Sequence, residues 1–162
     1  MALGFNANEV LQMAEQIERN GARFYRKAAE SCGECELQER LRQLADMEDG
    51  HEKTFVEMRA SLTGAETEST TFDPEGEAAQ YLMAMADANV FDPDVDLCEA
   101  VPGMSPKELL EVAIDLEKES IVFYLGLREL VSGKAGKDKM EGILKEEMSH
   151  IALLRGYINE LA

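Results

Sequence analysis

The 162-residue chain reads as all-α: a four-helix bundle with one long crossover, itself containing a short helix, between helices two and three. Three observations predict this. Apolar residues recur at three, four and seven through four long segments, the mark of amphipathic helices. The pattern Glu-x-x-His occurs twice, as Glu48-Asp49-Gly50-His51 and Glu147-Met148-Ser149-His150, and uses the only two histidines of the chain. The surroundings of the two copies repeat at a constant offset of 99 (147 − 48).

The first helix is expected from residue 7 to about 31, with Val10, Ala14, Ile17, Phe24 and Ala28 on one face. Asn6 and Glu9 have capping-box spacing at its start. Glu18 follows Ile17 and so lies beside the apolar stripe, with Tyr25 two turns further on the same side. Gly21 costs up to ~1 kcal/mol relative to Ala in a helix interior. Close packing or room for a ligand would justify it; a tolerated glycine is the alternative.

Ser31-Cys32-Gly33-Glu34-Cys35 is a short turn, and a second helix is expected from about 36 to 62. Leu37, Leu41, Leu44, Met47, His51, Phe55 and Met58 form its inward stripe, which buries His51. Residues 63–104 then join the halves. Thr63 to Thr71 is polar and loop-like, and Phe72-Asp73-Pro74 and Phe91-Asp92-Pro93 bracket an apolar stretch read as the short helix, with Tyr81, Leu82, Met83 and Met85. Its Met-rich character also suits a dimer contact, and a homodimer is the expected assembly.

The third helix is expected to start at Ser105-Pro106, an N-cap followed by Pro at the first helical position, and to run to about Val131. It carries Glu117 and Tyr124. The fourth is expected from about Lys137 to Leu161, with Met140, Ile143, Leu144, Glu147, His150, Leu154 and Tyr157 inward. At the 99-residue offset Leu11 matches Leu110, Ala14 matches Ala113, Glu18 matches Glu117, and Phe24-Tyr25 matches Phe123-Tyr124. Ser105 with Glu108 repeats the capping spacing of Asn6 with Glu9. The chain is therefore a duplicated two-helix unit.

Composition narrows the function. A net charge of −17 argues against nucleic acid, whose phosphates would be repelled. No apolar run reaches membrane-spanning length, so no membrane association is expected. Met1 to Asn8 lacks a signal-peptide pattern, and the expected location is the cytoplasm. At 45% apolar, the chain suits one folded domain over residues 1–162. Three cysteines do not make a disulfide framework. Cys32 and Cys35 could be a redox dithiol or half of a tetrathiolate site pooled between two chains; Cys98 reads as a small apolar residue.

The chemistry lies in Glu18, Glu48, His51, Glu117, Glu147 and His150. One Glu from each of two helices, with Glu-x-x-His from each of the other two, is the donor set of a carboxylate bundle site. Four ionised carboxylates in an apolar core are severely unfavourable unless compensated. Two divalent cations balance them, and imidazole nitrogen with carboxylate oxygen suits iron or manganese and tolerates zinc. The alternative is two ion pairs, or protonated acids, inside a plain bundle.

Glu-x6-Tyr and Glu-x-x-His, both in duplicate, resemble the rubrerythrin branch of the ferritin-like superfamily, over residues 7–62 and 105–161. The resemblance implies a ferritin-like fold and two iron ions per chain. Glu18 and Glu117 would each bind a metal as the single Glu of helices one and three. Glu48 and Glu147 would bridge or cap the metals, His51 and His150 would bind one each, and Tyr25 and Tyr124 would stand close by as catalytic groups. It further implies reduction of peroxide or dioxygen, of peroxidase or ferroxidase type; the alternative is a protein that binds, stores or delivers iron without turnover.

Two departures stand out. Rubrerythrins carry an extra Glu three residues after the helix-three Glu, where this chain has Ser120, and the duplicate of Ser120 is Gly21. The expected site is thus more symmetric and open, and a mechanism in which iron shifts toward the extra Glu is not supported. No two Cys-x-x-Cys pairs of a rubredoxin domain follow the fourth helix, so the expected electron donor is a separate protein.

Overall fold

The computed structural model describes residues 6–64, 77, 80–82 and 97–162. Four long helices dominate: α1 (Ala7–Ser31), α2 (Cys35–Ala60), α3 (Pro106–Leu130) and α4 (Lys134–Leu161). No strand occurs among the described residues. A short helix, Leu97–Ala100, and a 3-10 turn, Val101–Gly103, lead into α3.

Capping chemistry sets two of the starts. Asn6 accepts from the Glu9 backbone N–H while Glu9 accepts from that of Asn6, and Ser105 and Glu108 repeat the exchange at α3. Each reciprocal pair satisfies donors that a helix N-terminus leaves free. α4 begins three residues earlier than the sequence suggests, at Lys134. Gly133 explains this: its φ of 75° lies in the left-handed region, so the chain reverses within the turn after α3.

α1 packs along α2, and α3 along α4. The two hairpins meet through α1 against α3 and α2 against α4. Directions follow from the apolar clusters. Leu11, Ile17, Phe55, Met58, Phe123, Leu127, Met140 and Leu144 share one end of the bundle, while Phe24, Leu41, Leu44, Leu110, Ile114 and Leu154 share the other. Thus α1 and α4 run one way, and α2 and α3 the other. The end of α2 and the start of α3 lie at opposite ends, so the connection must cross the bundle. Most of that connection, including Met83 and Met85, lies outside the described residues. Residues 80–82 are helical; Leu82 is buried, and the Tyr81 ring lies over Gly126 with its hydroxyl donating to the Val122 carbonyl at 2.6 Å.

Each apolar end contributes roughly 1.5–3 kcal/mol per fully buried large side chain. Between the two ends lies a polar layer: Glu18, Glu48, His51, Glu117, Glu147 and His150, all buried. Tyr157, expected inward, is only half-buried. Its ring lies under the Arg40 guanidinium, 4.6 Å from the centroid, and Ile158 takes the inward place.

Candidate metal centre

Helix periodicity brings the polar layer together. Glu48 and His51 lie one turn apart on α2, as do Glu147 and His150 on α4, and α1 and α3 add Glu18 and Glu117 from across the bundle. Glu18, Glu147 and His150 have no exposed surface, and the other three are 3–5% exposed.

The six residues form two overlapping groups. Glu18, Glu48, His51 and Glu147 make one; Glu48, Glu117, Glu147 and His150 make the other; in each, one ligand atom per residue lies within 4.8 Å of the rest. Glu48 and Glu147 belong to both. Each repeat therefore supplies three residues of one group and lends one carboxylate to the other.

Both imidazoles turn Nδ1 toward the carboxylates. His51 Nδ1 stands 3.0 Å from Glu147 Oε1 and 3.4 Å from Glu18 Oε2. His150 Nδ1 stands 3.2 Å from Glu48 Oε1, 3.2 Å from Glu147 Oε2 and 3.4 Å from Glu117 Oε1. The rings stack with centroids 5.7 Å apart and planes 23° apart. Yet none of these approaches has hydrogen-bond geometry. Glu18 Oε2, Glu48 Oε1, both Glu147 oxygens and both Nδ1 atoms are buried without a hydrogen-bond partner. Buried polar atoms are nearly always paired. Here six unpaired donor atoms converge on two points, which is the arrangement a pair of cations would satisfy. Two buried ion pairs or protonated acids alone would not require this convergence.

Proton affinities describe the same layer without metal. Burial works against a charged imidazole, but the Glu147 and Glu18 carboxylates outweigh it and push His51 up to about 11. Glu117, Glu147 and Glu48 do the same for His150, to about 12. Burial raises Glu18 well above the usual carboxylate range, with Glu48 adding to the effect. Burial and then Glu147 push Glu117 up to about 8. Glu147 goes the other way: burial favours its neutral form, but Glu117, His150 and His51 hold it ionised. Protons thus take the place of cation charge.

The tyrosines reach across the bundle. Tyr25 of α1 donates to Glu117 of α3, and Tyr124 of α3 donates to Glu18 of α1. Burial, reinforced by the same carboxylates, raises both phenols well above 10 and keeps them as donors. Gly21 lies against the site: a Cβ there would stand 3.1 Å from Glu48 Oε2. Its duplicate Ser120 turns its hydroxyl back to the Leu116 carbonyl at 3.1 Å.

Two participants escaped the sequence reading. Glu146 Oε2 lies 2.7 Å from His51 Nε2, the ring nitrogen facing away from the carboxylates. Its duplicate is Met47, so the repeat gave no signal. Glu15 is buried and accepts two bonds from Arg59, at 2.5 and 3.1 Å, next to the layer. The first-turn cysteine, Cys32, is buried and free, and burial raises its thiol, which disfavours a reactive thiolate. The Cys35 side chain lies outside the described residues.

Residues 6–160 match the family model described as Ferritin-like domain. No curated protein matches the chain. A solved structure from Thermotoga maritima, described provisionally as a ferritin-like diiron-carboxylate protein, superposes with a TM-score of 0.79 at 23% identity, covering 98% of each chain. At that identity the likeness is one of fold. No helix among the described residues is long and apolar enough to cross a membrane.

Proposed function

Because this chain belongs to the ferritin-like domain family, we propose that it is a di-iron carboxylate protein of rubrerythrin type, reducing hydrogen peroxide or dioxygen with electrons from a separate donor protein. One observation carries the reading: buried, unpaired carboxylate and imidazole atoms converge in two groups that share Glu48 and Glu147. Glu18 and His51 would hold one ion, Glu117 and His150 the other, and Glu48 and Glu147 would serve both. Carboxylate oxygen and imidazole nitrogen suit iron or manganese and tolerate zinc. An iron pair supplies two electrons, one per ion, which with two protons reduces hydrogen peroxide to two water molecules.

The protein's own groups orient the site and hold protons. Tyr25 and Tyr124 fix the Glu117 and Glu18 carboxylates and keep a proton at each of them. Gly21 leaves the Glu48 carboxylate free of a side chain beside it. The two apolar ends keep bulk water from the layer, which strengthens every charge interaction within it.

Stopped-flow mixing of the iron(II)-loaded protein with hydrogen peroxide tests the reading. Oxidation faster than that of free iron(II), and lost in Glu147→Ala at equal iron loading, is the expected result. If wild type and Glu147→Ala react alike, or no faster than free iron(II), the catalytic reading fails and a protein that only holds or delivers iron takes its place.

A further inference from the structure

We propose that the two metal positions are unequal, and that Glu146 makes the His51 position the tighter one, filled first. The inference rests on the two-metal reading above. It comes from a place where the duplicated site breaks its symmetry. A metal at Nδ1 needs that nitrogen's lone pair, so the ring hydrogen must sit on Nε2. A partner that accepts this hydrogen fixes the tautomer and the ring orientation, and makes Nδ1 a better donor.

His51 has such a partner: its Nε2 lies 2.7 Å from Glu146 Oε2. His150 does not, and its Nε2 is buried without a hydrogen-bond partner among the described residues. At the 99-residue offset the counterpart of Glu146 is Met47, whose thioether is a weak acceptor at best. In the His51 position Glu146 thus accepts the N–H that ligation through Nδ1 requires, while in the His150 position no such acceptor strengthens Nδ1. Glu146 is 56% exposed, so it acts as a positioning residue from the surface and can be replaced without disturbing the core.

Removal of such a partner typically costs about 10–100-fold in metal affinity. The experiment is calorimetric titration of the metal-free protein with cobalt(II) alone, at fixed pH. Wild type should bind two ions in a tight and a weak step. Glu146→Ala should weaken the tight step by about tenfold or more and leave the weak one in place. Met47→Glu, which puts a carboxylate at the duplicate position, should tighten the weak step. If Glu146→Ala instead leaves the tight step intact and weakens only the second, the positions were equal and mutual repulsion alone separated the steps. That outcome, or no change in either variant, overturns the inference while the two-metal reading stands. Saturation of wild type at one ion, or none, overturns both.

Discussion

Tyr124 on α3 donates its hydroxyl to Glu18 on α1, and the same bond recurs in mirror order from Tyr25 on α1 to Glu117 on α3. The two bonds are related by the 99-residue duplication, and together they clasp the hairpins at the polar layer. Each tyrosine serves the carboxylate of the other repeat. Neither half can therefore build its own metal position complete.

Tyr124→Phe and Tyr25→Phe should have near-equal effects. Each removes a buried donor and leaves a buried carboxyl oxygen unpaired, a loss of about 1–3 kcal/mol. For a chain of this size that lowers the melting temperature by roughly 2–4 °C per kcal/mol. Thermal melts of the two metal-free variants test this, and a large effect from one with none from the other would break the symmetry argument.

The metal-free protein should lose stability as pH rises. His51 and His150 bind protons up to about 11 and 12, against 6.5 for an ordinary histidine, and Glu117 up to about 8, against 4.5 for an ordinary glutamate. All three are raised, so the native state holds more protons than the unfolded chain above the ordinary values. Stability from these groups is full below pH 4.5, and is lost progressively as pH climbs, first through Glu117 and above 6.5 through the histidines as well. Each extra proton is worth ~1.4 kcal/mol per pH unit. Melting temperatures of metal-free protein should fall between pH 6.5 and 8, whereas those of metal-loaded protein should fall less or rise.

Metal binding at neutral pH should expel protons. His51, His150 and Glu117, raised to about 11, 12 and 8, hold protons in the metal-free layer, and burial favours the neutral form of Glu18 as well. Ligation requires these groups to give up their protons. Manganese(II) titration in two buffers of different ionisation enthalpy measures the release, and the expected result is a net release of protons on binding. Release near zero would mean that some of these groups are not ligands.

Gly21→Ala should separate stability from metal binding. Alanine gains up to ~1 kcal/mol over glycine within a helix. Its Cβ would sit 3.1 Å from Glu48 Oε2, so the flexible carboxylate must move aside. The metal-free variant should melt no lower than wild type, while its affinity for manganese(II) falls. Unchanged affinity would show that Glu48 has room to yield without leaving its place.

The helices, most of their inward faces and the six residues of the polar layer were legible in the sequence alone. These are local properties. A repeat of three and four residues places a side chain on a helix face whatever the helix packs against, and the duplicated Glu-x-x-His marks that face twice. The crossover was legible for the same kind of reason, because its length allows the chain to change ends. Three other features arise from the packing of helix on helix. Glu48 and Glu147 belong to both groups because α2 and α4 run antiparallel with His51 beside Glu147 and His150 beside Glu48. The tyrosines serve the opposite repeat, although on their own helices each lies beneath its own Glu. Glu146 reaches the far nitrogen of His51, although beside Glu147 it reads as part of a solvated face. All three depend on the register of one helix against another, which side-chain packing across the bundle sets and no periodicity within a single helix encodes.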